Sequence, residues 1–135
     1  MTFSKLIFWI ARLVAAVIMV QSLFFKFSGS EESVYIFTTV GMEPWGRIGV
    51  GVLELIASIL MFIPSLVWVG SLLAFGLMAG AIGMHLTLLG IEVKGDGGQL
   101  FIYAILVAVC SLIVFWYSRH QLPVGVRKFL PSFLQ

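Results

Sequence analysis

Six side chains able to carry charge, pass a proton or donate a hydrogen bond interrupt the most apolar parts of this sequence: Arg12, Gln21, Lys26, Glu54, His85 and Tyr103. Glu54 is the plainest case, alone in the middle of "GRIGVGVLELIASILMFIP" (46–64). An ionisable group in hydrocarbon turns to the interior and finds a partner, because removing either partner strands the other in a medium without water. Counting 1.5 Å per helical residue from Lys5 and from Ile63 places Arg12 roughly 10 Å and Glu54 roughly 13 Å from one common edge. That arithmetic predicts a buried Arg12–Glu54 ion pair. Such a pair either pins two helices together or, with the carboxylate tuned for proton transfer, forms a proton or substrate site.

A second polar layer is expected near the opposite edge. His85 and Tyr103 each fall roughly 7 Å below it by the same rise per residue, and Gln21 and Lys26 belong to that half. These four are the candidate ligand-binding residues. Arg12, Met19 and Lys26 are spaced by sevens, as are Arg47 and Glu54, so each set shares one helix face. Together they predict a polar line running from one side to the other. His85 has two readings: a core imidazole bonded to Tyr103 or Thr87, or a ligand contact or proton relay that titrates near neutrality. His120 lies in the tail and there is no dense set of donors, so no metal site is expected. The lone Cys110 forms no internal disulfide or Cys-x-x-Cys pair and reads as a small apolar filler. No phosphate-cradling loop, activated nucleophile or haem ligand set is present, and no catalytic residue is assigned. The net charge of +2 sits beside apolar segments, which does not suggest nucleic-acid binding.

The elements that must position these groups follow from composition. Apolar residues are 61% and charged residues 10%, against roughly 45–50% and about 25% in soluble domains. A chain of 135 residues cannot hide that surplus in a core, so it faces lipid. Four apolar runs, at about residues 6–25, 45–63, 66–90 and 100–117, approach the ~20 residues of a membrane-crossing helix. None alternates in polarity as barrel strands do. The expected fold is all-α: one transmembrane domain over residues 1–135, an integral membrane four-helix bundle with antiparallel up-down topology. Arg12 and the length of the first run argue against a cleaved signal peptide. The outer loop 27–44 contains the amphipathic "VYIF", expected to lie along the surface as a short helix or extended piece. "GIEVKGDGG" reads as a tight exposed hairpin. Small residues concentrate in the third run, where Gly76 and Gly80 form a small-xxx-small pair expected to bring a neighbouring backbone close. Gly46, Gly49 and Gly51 are assigned the same job in the second run. Lys5, Arg119, Arg127 and Lys128 flank the two ends of the chain without opposing acids. The positive-inside rule then puts both termini, with the tail 119–135, in the cytoplasm and the bundle in the cell's inner (plasma) membrane. Phe129, Leu130, Phe133 and Leu134 give that tail an apolar side suited to resting on the inner leaflet.

Three stretches in order, "RLVAAVIMVQSLFFKFSG" (12–29), "GRIGVGVLELIASILMFIP" (46–64) and "GAIGMHLTLLGIEVKGDGGQLFIYA" (80–104), resemble the DoxX and DoxX-like small four-helix membrane proteins. The resemblance spans about residues 8–118. It carries Arg12, Lys26, Glu54 and His85 over as family-like polar positions. It implies a membrane subunit or scaffold of a quinone-linked oxidoreductase-type complex with no stand-alone chemistry. No cofactor is encoded in the sequence itself; a quinone is the ligand the resemblance brings in, with Gln21, Lys26, His85 and Tyr103 to bond its carbonyls. The expected partners are the lipid bilayer and a redox protein or further copies of the chain. The alternative is a small-solute or proton transporter subunit, motivated by the polar line from Lys26 to Arg12.

Overall fold

The computed structural model describes residues 2–132; Phe133 and Leu134 of the tail lie outside the described residues. Among these residues there are helices and turns and no strand: α1 (Phe3–Ser28), α2 (Glu31–Thr39), α3 (Trp45–Leu60), α4 (Val67–Met84), α5 (Gln99–Ser118) and a single turn, α6 (Val124–Arg127). A π-helical turn, His85–Leu89, extends α4, and a 3-10 turn, Arg119–Gln121, extends α5. Three helical segments are long and apolar enough to cross a membrane: Phe3–Ser28, Val67–Leu89 and Gln99–Gln121. The second apolar run is shorter as a helix than as a pattern. Its helix has 16 residues, and residues 61–66 around Pro64 form a turn instead.

Local chemistry sets the boundaries. Thr2 Oγ1 accepts the amide of Lys5 and caps the start of α1. The helix stops at Gly29, whose φ of 69° is the left-handed conformation that side chains other than glycine adopt at a cost; the amides of Gly29 and Ser30 both return to the Phe25 carbonyl. Ser30 then caps α2 through the amide of Ser33, with Glu31 and Glu32 in the first turn, where the helix dipole favours negative charge. The "VYIF" stretch is therefore helical.

Helix α1 lies against α3 and α5, and α4 lies against the same two. Ala15, Met19, Ala57, Met61, Ala74, Met78 and Val107 are buried between them. The outward positions are as apolar as the inward ones: Leu13, Val17, Ile59, Leu72, Val109 and Leu112 are all exposed. A soluble protein does not expose a surface that continuously apolar; it fits an acyl-chain environment. At one end of the molecule the Phe8 and Tyr117 rings meet edge-on, and the Gln121 amide donates to the Pro64 carbonyl. At the other end α2 meets the loop after α4, where Lys94 pairs with Glu31 at 3.1 Å.

The glycines of α4 behave differently from the sequence expectation. The tight contact is Gly70, where an added Cβ would lie 2.8 Å from both the Ala57 carbonyl oxygen and the Met61 nitrogen. At Gly76 and Gly80 a Cβ would meet nothing within 4 Å, so these two create open space and bring no backbone close. Gly46 and Gly51 lie under Met42 and Phe27, while Gly49 faces nothing.

The loop "GIEVKGDGG" is built around Asp96. Its Oδ1 accepts the amides of Val93 (3.0 Å) and Gly98 (2.8 Å), and Oδ2 accepts that of Leu100 (3.2 Å) in the first turn of α5. Burial alone would raise the Asp96 pKa; the three amides outweigh it, His85 adds a smaller attraction, and the carboxyl is held below its ordinary value. Val93 and Gly98 are buried, so this hairpin is only partly the exposed turn expected.

Two outcomes follow for thermal unfolding in detergent. Gly70→Ala should lower stability by about 1–3 kcal/mol, as overpacking against backbone does, whereas Gly80→Ala should leave it unchanged or raise it by up to about 1 kcal/mol through helix propensity. Asp96→Ala should cost about 1 kcal/mol, the usual loss of a capping carboxylate. Because the Asp96 pKa is lowered on folding, its contribution is complete above the ordinary carboxylate range and fades as pH falls through the lowered value. The gap between wild type and Asp96→Ala should therefore close on acidification.

Candidate functional site

Glu54 is 2% exposed, and its partner is Lys26. Lys26 Nζ lies 3.1 Å from Glu54 Oε1, and Ser22 Oγ lies 2.9 Å from Oε2. The same hydroxyl accepts from Lys26 Nζ at 3.1 Å. Its one proton serves either Glu54 or the Met19 carbonyl, 2.7 Å away. The result is a closed triad between α1 and α3. The ammonium keeps a third N–H for another acceptor.

The expected Arg12–Glu54 pair does not form. Arg12, 6% exposed, donates through Nη1 to the Met61 carbonyl at 3.0 Å. Its guanidinium lies over three rings, 3.9 Å from the Trp9 centroid, 4.5 Å from Phe8 and 5.2 Å from Phe62. No carboxylate among the described residues pairs with it, and Nε has no partner. The physical reason is register. Arg12 meets α3 at Met61, seven residues past Glu54 and so roughly 10 Å along the axis. Measuring depth from Ile63 assumed helix to that point, whereas α3 ends at Leu60. The aromatic faces supply about 0.5–2 kcal/mol each, and the end of a helix supplies free carbonyls and the negative pole of its dipole. Those features hold the cation without an anion.

Lys26, Arg12, Arg47 and Glu54 do share the α1–α3 seam, as the sevenfold spacing required. Arg47 is held by both carboxylate oxygens of Glu43, at 2.9 and 3.0 Å, and donates to the Lys26 carbonyl, capping the end of α1. The polar line is interrupted, however, because Met19, Met61 and Ala57 fill the space between the Lys26 and Arg12 levels.

Above that apolar plug lies a cavity of about 430 Å³, within the usual range for a small-molecule site. All four candidate ligand-binding residues line it, Gln21, Lys26, His85 and Tyr103, together with Glu54. Its remaining walls are mainly apolar, among them Ile18, Val50, Leu77, Ala81 and Val107, and α2 contributes Ser33, Ile36 and Phe37. Gln21 donates within its own helix to the Ile18 carbonyl at 3.0 Å. His85, 5% exposed, has Nδ1 2.9 Å from the Gly90 carbonyl. A carbonyl only accepts, so Nδ1 carries the proton and Nε2 is the position left without a hydrogen bond. Neither sequence-expected partner takes it: Thr87 donates to Gly83, and Tyr103 accepts from Gln99 Nε2 at 2.9 Å. The Tyr103 O–H thus remains available as a donor.

Ser22 and Gln99 are the members of this layer that sequence reading missed. Ser22 lies four residues before Lys26, on the same face, and that spacing was visible beside a charged residue. Gln99 sits outside the fourth apolar run and carried no such signal. Among the described residues no cluster of His, Cys, Asp and Glu could hold a metal.

Residues 7–87 match the DoxX family, which is well over half the chain. The protein belongs to the DoxX family. The match includes Ser22, Lys26, Glu54 and His85 and stops short of Tyr103. No curated protein and no solved structure matches the chain. With three spanning-length helices and this family membership, the chain is a multi-pass membrane protein.

The two cations make opposite predictions in double-mutant cycles. Lys26→Met and Glu54→Gln should be non-additive by about 1–3 kcal/mol, since each alone leaves a buried group unpaired. Arg12→Met and Glu54→Gln, acting at separate levels, should add within roughly 0.5 kcal/mol. Thermal or denaturant unfolding in one detergent measures all of them.

Proposed function

We propose that this DoxX protein is the membrane subunit of a quinone-linked redox complex and holds a quinone-type ligand in the cavity above its apolar plug. α3, with 16 residues, joins the three spanning helices as a short fourth crossing beside which the bilayer thins, giving an antiparallel up-down four-helix bundle. Arg12–Met61, Phe8–Tyr117 and Gln121–Pro64 group the start of α1, the turn after α3 and the end of α5 at one end. That end carries Lys5, Arg119, Arg127 and Lys128 and is placed in the cytoplasm of an inner membrane by the positive-inside rule. The cavity then belongs to the outer half.

One observation carries the ligand assignment. Donors from separate helices meet in a mainly apolar cavity with hydrogens unspent: the third N–H of Lys26, the O–H of Tyr103 and the amides of Gln21 and Gln99. A group presenting carbonyl acceptors on an apolar body satisfies them; a metal or a strongly hydrated ion does not. When bound, a quinone supplies a reversible acceptor of electrons and protons. The chain's own part is to orient the carbonyls with Lys26 and Tyr103 and to hold Lys26 in place through Glu54 and Ser22. His85 Nε2 and Glu54 are positioned to take or give protons at the same cavity. The electrons come from a partner protein, since a single half-buried cysteine offers no redox pair. The plug at Met19 and Met61 favours a holding site over the permease reading.

The protein purified in mild detergent should bind decyl-ubiquinone saturably. Tyr103→Phe, which removes one hydroxyl and keeps the ring, should weaken binding about three- to tenfold, as the loss of one hydrogen bond does, and His85→Ala should weaken binding of the reduced decyl-ubiquinol, whose O–H can donate to Nε2. Absence of binding by folded wild-type protein, or unchanged affinity in both variants, removes the proposal.

A further inference from the structure

We infer that the cavity opens sideways into the bilayer between α3 and α4, and that the ligand it takes carries a hydrocarbon chain lying along Gly76 and Gly80. This deepens the quinone reading and rests on it for the identity of the headgroup alone.

The two helices touch closely at the Gly70 level, and the cavity lies further along α4. Gly70 sits against Ala57, Leu60 and Met61 with no room for a Cβ. One and a half to three turns further along α4, Gly76 and Gly80 have no neighbour within 4 Å of that position. Both are exposed on the outside of the molecule and yet both line the cavity. On α3, Val50 lines the same cavity and is half-exposed, while Leu53 one turn away is 40% exposed. A residue that belongs to the cavity wall and to the outer surface marks a rim. At 100° per residue, Gly76 and Gly80 lie 40° apart on α4, turned away from the buried Ala74, Met78 and His85. The rim therefore faces the acyl chains.

A second observation concerns the head of the ligand. His85 lines the cavity with Nδ1 spent on the Gly90 carbonyl, and its Nε2 makes no hydrogen bond among the described residues. That nitrogen is free to accept from a hydroxyl on a bound head. The groups with hydrogen-bonding capacity left over come from α1, α5 and the π-turn, Glu54 of α3 being spent on Lys26 and Ser22, and the glycines lie on the outer edge of α4. That polarity matches an amphiphile whose head is bonded inside and whose tail leaves through the gap. Glycine leaves such an opening clear by adding no side chain, although it disfavours the helix.

The test uses the full chain in nanodiscs, with decyl-ubiquinone and its tail-less dimethoxy-methyl-benzoquinone headgroup as probes. Gly76→Leu and Gly80→Leu each add a Cβ with no neighbour within 4 Å, and thermal unfolding checks that the variants fold. The double variant should bind decyl-ubiquinone about tenfold or more weakly, as loss of buried methylenes predicts, while headgroup affinity moves less than about twofold. Equal losses for both probes, or no loss for either, overturns the lateral route. Wild-type protein that binds neither probe overturns the quinone reading alone. The route is then decided with a phospholipid bearing a photoreactive acyl chain: labelling of Leu77 or Ala81 that the double variant abolishes supports it, and no labelling overturns it.

Discussion

The Lys26–Glu54 pair is the constraint on which the site depends. A carboxylate held away from water is tolerated only with its charge compensated and its lone pairs used, and here an ammonium and a hydroxyl do both. That requirement fixes how far α1 slides along α3, because any axial shift of a few ångströms would break the pair. With this register set, Gln21 and Lys26 come level with His85 and Tyr103, and Arg12 is carried to the far end of α3. The cavity is a consequence of the same choice. Polar groups are gathered at one level, and methionines and alanines fill the level beneath.

Arg47 and α2 extend this logic to the loop end. Arg47 spans from Glu43 to the last turn of α1, so the long connection is tied to both helices whose register the ion pair sets. Ser30 starts α2 one residue after Gly29 ends α1, and the tight junction lays α2 over the cavity. Ile36 and Phe37 then close an apolar side that lipid alone would otherwise cover.

Much of the architecture was legible because it follows from solvent. An apolar surplus must face lipid, and unsatisfied backbone in lipid must be helical. The shared face of Arg12, Lys26, Arg47 and Glu54 was legible from spacing by sevens, and the grouping of Gln21, Lys26, His85 and Tyr103 from counting along helices. The pairing was not. Choosing between Arg12 and Lys26 for Glu54 required the last residue of α3, and helix ends are the least certain feature of an apolar run. Gly70 and Gly80 look alike in sequence, and only the packing of α3 on α4 shows that one meets a neighbouring backbone and the other meets nothing. The partner of His85 could not be read either, since a π-helical turn brings the Gly90 carbonyl to the imidazole where regular α-helix would not.

The nest of rings around Arg12 has a consequence of its own. A cation matched by a carboxylate can be released by acid, because its partner can be neutralised. Tryptophan and phenylalanine faces and a main-chain oxygen cannot take up a proton in that way, so the grip on Arg12 is deaf to acidity. The opposite end hangs on Asp96, whose hold on three amides weakens as pH falls through its lowered value. The molecule is thus a post with one foot set in stone and the other in something that softens, and any loosening in an acidic surrounding begins at the end where the cavity lies.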